Sequence, residues 1–195
     1  LMKSGGISRR ILEFADAVVG WITGSVGMVT VVASMFFAAL SGSSPATVTA
    51  IGSITIPKMK EEGYDPAYAT AITAAAGTIG VIIPPSIPFV IYGVAAQCSI
   101  SDLFLAGVIP GLLIGLVLMG VNYYTAHTKH YGKRSAFSLR KLFKTLLDSI
   151  WALLVPVIIL GGIYGGFFTP TESAVSAIIY SIIIGVFVYR ELDLK

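Results

Sequence analysis

Residues 41–47 read Ser41-Gly42-Ser43-Ser44-Pro45-Ala46-Thr47. They interrupt two of the most apolar stretches of the chain, GMVTVVASMFFAAL before and VTAIGSITIP after. The fold turns on this interruption. It is either a turn between two membrane crossings or the tip of a hairpin that enters a membrane and returns. The second apolar leg, about 46–57, is too short to span a bilayer, which takes about 20 residues. That favours the hairpin.

Composition supports a membrane setting. The 195 residues are 55% hydrophobic and 12% charged, with a mean hydropathy of +0.87. Soluble domains carry about 25% charged residues. No charged side chain occurs from Tyr68 to Ser101, from Leu103 to Thr128, or from Ser149 to Thr171. Runs of this length are read as bilayer crossings, so the expected fold class is all-α, a polytopic membrane protein. A soluble protein with a large buried core is the competing reading. The opening LMKSGGISRR looks like neither a signal peptide nor a translation start, and we expect a segment of a longer chain. The single cysteine, Cys98, excludes an intramolecular disulfide and a cysteine metal cluster. A net charge of +3 needs no nucleic-acid partner; in a membrane protein, basic residues report sidedness first.

Outward from the tip, residues 7–19 have an amphipathic period, with Ile7, Ile11, Phe14, Ala15 and Val18 on one helical face. KMKEEGYD at 58–65 reads as a polar loop. The apolar segment 66–98 is broken by PPSIP at 84–88, and SISD at 99–102 is a short loop. Residues 103–126 read as a spanning helix, followed by a basic stretch at 127–145. From Ser138 a second amphipathic helix is expected, with Leu139, Leu142, Phe143, Leu146 and Ile150 on one face. Residues 149–167 span again, TPTE turns, and 173–189 span last. If 20–57 is re-entrant and 66–98 crosses once, all 13 Lys and Arg fall on one side: Lys3, Arg9, Arg10, Lys58, Lys60, Lys129, Lys133, Arg134, Arg140, Lys141, Lys144, Arg190 and Lys195. SISD and GGFFTPTE, opposite, hold none. The positive-inside rule makes the basic side cytoplasmic. A single crossing at 20–40 would put the later basic loops outside.

A re-entrant tip survives at membrane depth only when packed in protein or lining a wet site. The first leg leaves its last carbonyls free near Leu40. Ser44 reads as the N-cap of the second leg and Pro45 as its first helical residue. One spot thus offers carbonyls, the hydroxyls of Ser41, Ser43, Ser44 and Thr47, and a positive helix end. The second break, TIGVIIPPSIP, should free three carbonyls. Pro84 cannot donate to Gly80, Pro85 to Val81, or Pro88 to Pro84. The hydroxyls of Thr78 and Ser86 flank them. Proton-free oxygens suit a hard cation, and discontinuous helices of this kind mark secondary-transporter sites. Close helix packing and a plain proline kink are the structural alternatives.

Other signals are weaker. Gly107, Gly111 and Gly115 form a small-residue stripe, as do Gly161, Gly162, Gly165 and Gly166, and TAITAAAG at 70–77 is smooth; all read as tight helix packing. His127 and His130 fall in a basic loop and read as a solvated face rather than a metal site. With no histidine in a span, a serine nucleophile lacks its base. With no buried Asp or Glu, a proton relay lacks its carrier. Enzyme chemistry is therefore not expected, nor any cofactor beyond a coupling ion.

SGSSPATVTAIGSITIPKMKEEGYD, TAAAGTIGVIIPPSIPFVIYG, LFLAGVIPGLL and PVIILGGIYGGFFTPTESA, in that order, together resemble the large membrane subunit of tripartite ATP-independent periplasmic (TRAP) transporters. The likeness runs over essentially the whole chain. It implies an ion-transporter-superfamily fold, an elevator motion, and partnership with a small membrane subunit and a periplasmic substrate-binding protein. It also implies import of organic acids of the C4-dicarboxylate or sialic acid class with sodium, across the bacterial inner membrane. Family members carry two inverted repeats, and this chain resembles the first. On that reading 1–19 is an interfacial arm helix, 20–57 the re-entrant hairpin and 58–102 the broken helix of the transport domain. Residues 103–137 are a scaffold helix with its basic loop, and 138–195 a second arm helix with further scaffold helices. The resemblance maps a sodium clamp onto the tip and the break. Ser41, Gly42, Ser43, Ser44 and Thr47 form one lip, and Thr78, Gly80, Pro84, Pro85 and Ser86 the other. Ser41, Ser43, Gly80 and Pro84 are the expected sodium ligands, with the substrate carboxylate nearby. A channel-like pore and a structural membrane subunit without its own substrate site are the alternatives to a transporter.

Overall fold

The computed structural model describes residues 7–132 and 137–189. Lys3, Lys133, Arg134, Arg190 and Lys195 of the expected basic side lie outside them. The regular elements of the described residues are all helical, with no strand among them. The helices are α1 (Ile7–Val19), α2 (Ser25–Ser41), α3 (Ser44–Glu61), α4 (Pro66–Gly77), α5 (Ile87–Ala96), α6 (Ile100–Lys129), α7 (Leu139–Tyr164) and α8 (Pro170–Ile183). A 3-10 turn at Thr78–Val81 follows α4, and a π-helical turn at Ile184–Val188 follows α8. Two of them, α6 and α7, are long and apolar enough to cross a membrane.

α2 and α3 form an antiparallel hairpin. Its outer ends meet at the C-terminal end of α6. A Cβ on Gly24 would touch Ala126 and Asn122, and the Gly132 N–H donates to the Glu62 carbonyl at 3.3 Å. Tyr64 stacks on Tyr131 with ring centroids 4.8 Å apart. Burial pushes the Tyr64 phenol up to about 12, so Tyr64 is uncharged beside Glu62.

The glycine stripe of α6 faces inward, as expected of close packing. Gly115 abuts the Met35 sulfur, Gly111 the Ile83 side chain, and Gly107 the Ile82 carbonyl and the Phe89 ring. These contacts give the depth of the tip. Met35 lies about one and a half turns before the end of α2, and the break lies level with Gly107 and Gly111. Residues 100–106 of α6 therefore run about 10 Å beyond the tip, and residues 111–129 about 27 Å the other way. Past the tip the chain continues through α5, which returns by Ser99 into α6.

One polar side chain ties the far end of this packing. Asn122 is fully buried; its Nδ2 donates to the Gly24 carbonyl at 3.0 Å, and its Oδ1 accepts from the Tyr68 hydroxyl at 3.3 Å. Gly27 leaves the room, since a Cβ there would overlap Oδ1. Asn122→Leu removes both of these buried bonds, a loss of about 2 kcal/mol. We expect the detergent-solubilised full-length protein to melt several degrees lower; an unchanged melting temperature would show that the cluster carries no stability.

One sequence expectation is corrected here. The expected amphipathic helix from Ser138 and the span at 149–167 are one helix, α7. Leu139, Phe143 and Ile150 are exposed, while Thr145 and Ser149 face inward. Ser149 donates to the Arg10 carbonyl at 3.0 Å, and Lys141 pairs with Asp16, so α1 is fixed to α7 by polar contacts. On α1 the buried face is Ile11, Leu12, Ala15 and Val19, with Phe14 edge-on to Phe36. α8 opens with a capping box in which Thr169 and Glu172 bond reciprocally. The Thr169 N–H and then its hydroxyl hold the Glu172 carboxyl below the usual carboxylate range.

Candidate functional site

The tip is built by local chain chemistry. α2 ends where Gly42 adopts a left-handed conformation (φ 59°) and returns its N–H to the Ala38 carbonyl. Glycine takes this backbone shape without a Cβ penalty. Ser43 is extended and caps α3, so Ser44 and Pro45 occupy the first two helical positions. The expected cap was Ser44. The structure moves it one residue back, and the Ser43 side chain makes no capping bond.

Three oxygens converge behind the tip. The Thr47 hydroxyl donates to the Ser43 carbonyl at 2.9 Å, and the Ser41 hydroxyl does so at 3.3 Å. Ser41 Oγ and Thr47 Oγ1 lie 3.0 Å apart. Two hydroxyl protons serve three close oxygen pairs, so one pair is always without a proton. Ser41 Oγ also accepts the Ser43 N–H, and the Ser43 carbonyl the Thr47 N–H. Thr47 is fully buried.

The break closes on this cluster. Gly80 lies in the 3-10 turn, where a Cβ would be 2.7 Å from Thr47 Oγ1 and 2.9 Å from the Ser43 carbonyl oxygen. A Cβ on Gly42 would be 2.6 Å from the Pro85 carbonyl oxygen. The Ile87 N–H donates to the Gly42 carbonyl at 3.2 Å, a direct backbone bond between tip and break. The sequence spacing alone could not show these contacts, which place glycine where the two backbones approach.

Of the expected second lip, Gly80, Pro85 and the start of α5 meet the first, and Pro84 and Ser86 are buried beside them. Thr78 is exposed, and its hydroxyl donates to the Ala75 carbonyl at 2.7 Å. Ser86 caps α5, accepting the Phe89 N–H, and its hydroxyl donates to the Val81 carbonyl at 2.7 Å. One of the three carbonyls expected to be free is thus satisfied from within the break. The fully buried Asn122 was not anticipated, though an asparagine in a charge-free run is a readable signal for an inward-facing polar contact. His127 lies in the last turn of α6 and stacks on Tyr123, and His130 caps that helix; among the described residues no cluster of His, Cys, Asp or Glu could hold a metal ion. Oxygens of serine, threonine and backbone are what the site offers, a donor set for hard cations and not for zinc or copper.

Comparison with known proteins shows the family. The family model described as "Tripartite ATP-independent periplasmic transporter, DctM component" matches residues 1–195. The chain is 53% identical over 193 residues to an isethionate TRAP transporter permease protein of Oleidesulfovibrio alaskensis, covering 98% of this chain and 30% of that protein. It is 50% identical over 194 residues to a C4-dicarboxylate TRAP transporter large permease protein of Pseudomonas aeruginosa, covering all of this chain and 45% of that one. It is 47% identical over 195 residues to a sialic acid TRAP transporter permease protein of Haemophilus influenzae, again over all of this chain and 32% of the relative. The chain therefore spans about a third to a half of the length of these relatives. They are transporters rather than enzymes. The chain belongs to the DctM component family of the tripartite ATP-independent periplasmic transporters.

Proposed function

We propose that this chain forms one half of the moving and supporting machinery of an inner-membrane permease that imports small organic acids with sodium. The relatives are named for isethionate, C4-dicarboxylates and sialic acid. All are small organic anions, so the substrate class is an organic anion of that size. A small membrane subunit and a periplasmic substrate-binding protein are the partners that membership implies. In this reading α2–α3 is re-entrant from the cytoplasmic side, α4–α5 crosses as a broken helix, and both move together against α6 and α7.

One observation carries the proposal. The break seats on an oxygen cluster at the hairpin tip, well inside the length of α6. Irregular backbone at that depth is tolerated where it lines a site. Broken-helix ends and unwound carbonyls of this kind hold coupling ions and anionic substrates in secondary transporters. Ser41, Ser43 and Thr47 would hold sodium through their oxygens, with Gly80 and Pro84 contributing backbone carbonyls. The N-terminal ends of α3 and α5, both directed at the tip, would favour the substrate's negative charge.

Ser41→Ala in the full-length permease, which removes a side-chain oxygen of the cluster, tests this. With its partner subunit and binding protein in proteoliposomes, the variant is expected to need more sodium for uptake while inserting normally. Unchanged sodium activation would sink the assignment. Uptake that does not saturate, or that ignores the binding protein, would instead favour a channel-like pore.

A further inference from the structure

A second polar feature lies far from the tip. The outer side of α1, the middle of α7 and Tyr189 enclose an open cleft of about 500 Å3, a size that holds small ligands. Its lining is charge-balanced: Arg9 and Arg10 against Glu13 and Asp148. The Arg9 Nε donates to Glu13 at 3.0 Å. The Arg10 guanidinium lies 3.8 Å over the Tyr189 ring, and the Tyr189 hydroxyl donates to the Asp148 carbonyl at 3.3 Å.

The level of the cleft is informative. Asp148 is the last charged residue before the charge-free run 149–171, and the half-exposed Trp151 follows one turn later. Tryptophan at the edge of an apolar run marks the head-group layer. Two arginines alone would suit any phosphate. Two carboxylates and the ring face of Trp151 add partners for an ammonium group.

We propose that this cleft holds the head group of an amine-bearing, zwitterionic phospholipid. Its phosphate lies toward Arg9 and Arg10 and its ammonium toward Glu13 and Asp148. This rests on the membrane placement proposed above and is independent of the sodium site. A lipid held there would pack α1 against α7 from the membrane side.

The test uses the full-length permease in vesicles of equal phosphatidylethanolamine and phosphatidylglycerol, with a benzophenone photo-crosslinker in place of Leu147, an exposed residue of the cleft wall. The expected adduct is phosphatidylethanolamine. Arg9→Gln, at an exposed side chain, should lower its yield about two- to fivefold, the scale of one exposed charge pair. Glu13→Gln with Asp148→Asn should shift the adduct toward phosphatidylglycerol. The proposal is overturned if the parent prefers phosphatidylglycerol, if the crosslink goes to polypeptide, or if neither variant changes the adduct. Competition by soluble phosphoethanolamine would reassign the cleft to a free phosphate ester and would equally overturn it. None of these readouts depends on uptake, so a failed sodium assignment would leave them intact.

Discussion

Replacing Gly80 by alanine in the full-length permease is expected to cut organic-acid uptake at least tenfold, equivalent to about 1.4 kcal/mol or more, with insertion into the membrane retained. The added Cβ would lie 2.7 Å from Thr47 Oγ1 and 2.9 Å from the Ser43 carbonyl oxygen. The carbonyl cannot turn aside, because it holds the first hydrogen bond of α3, from the Thr47 N–H at 3.1 Å. The 3-10 turn must therefore back away from the tip, or the tip must tilt. Overpacking of this kind costs about 1–3 kcal/mol, which a helical bundle of this size absorbs without unfolding. The displacement falls on the place where the two backbones meet. A matched control is Gly120→Ala on α6, where a Cβ meets nothing within 4 Å; its uptake should equal the parent's. Initial uptake rates in proteoliposomes, normalised to inserted protein, decide the matter. Parent-like uptake by Gly80→Ala would mean that the tip and the break need not touch during transport.

Much of this contact could be read from the sequence, but not all of its geometry. The hairpin and the break announce themselves because small polar residues and prolines are costly in an apolar run. Their physical effects reach further than the residues that cause them. The break starts at Thr78, six residues before Pro84. Pro84 and Pro85 withdraw donors from the preceding turn and restrict Ile83, and Gly77 and Gly80 hold the helix weakly. The opposite error occurred where composition changed but hydrogen bonding did not. α3 runs through Pro57 into the expected loop as far as Glu61, and α7 carries a charged first half into an apolar second half without a break. Nothing between Asp148 and Ala152 interrupts the helical ladder there; only the surroundings change. On that helix Phe143 and Ile150 turn outward, while Thr145 and Ser149 turn inward. Apolarity marks the buried face when the solvent is water, but in a bilayer the small polar residues are the ones that seek protein partners.

Thr47→Val is expected to raise the sodium concentration for half-maximal uptake roughly ten- to hundredfold while leaving the fold in place. Valine keeps the shape of threonine at a fully buried position and removes one oxygen. The structural cost is small, because no acceptor is left bare. The Ser43 carbonyl keeps the position-47 N–H, and the Ser41 hydroxyl, 3.3 Å away, can give it its proton. A lost neutral hydrogen bond of this kind is worth about 1 kcal/mol. The sodium term is larger. An oxygen facing an ion contributes on the scale of a hydrogen bond to a charged group, about 1.5–3 kcal/mol, which converts to the stated range at about 1.4 kcal/mol per factor of ten. Thr47→Ser restores the oxygen and should restore the parent's sodium curve. The two costs separate experimentally. Loss of fold lowers maximal uptake and leaves half-saturation where it was, whereas loss of a ligand moves half-saturation and is overcome by more sodium. A Thr47→Val protein with lower maximal uptake at an unchanged half-saturating sodium concentration would make the oxygen cluster a structural clasp between the tip and the break, and would move the coupling ion elsewhere in the longer chain.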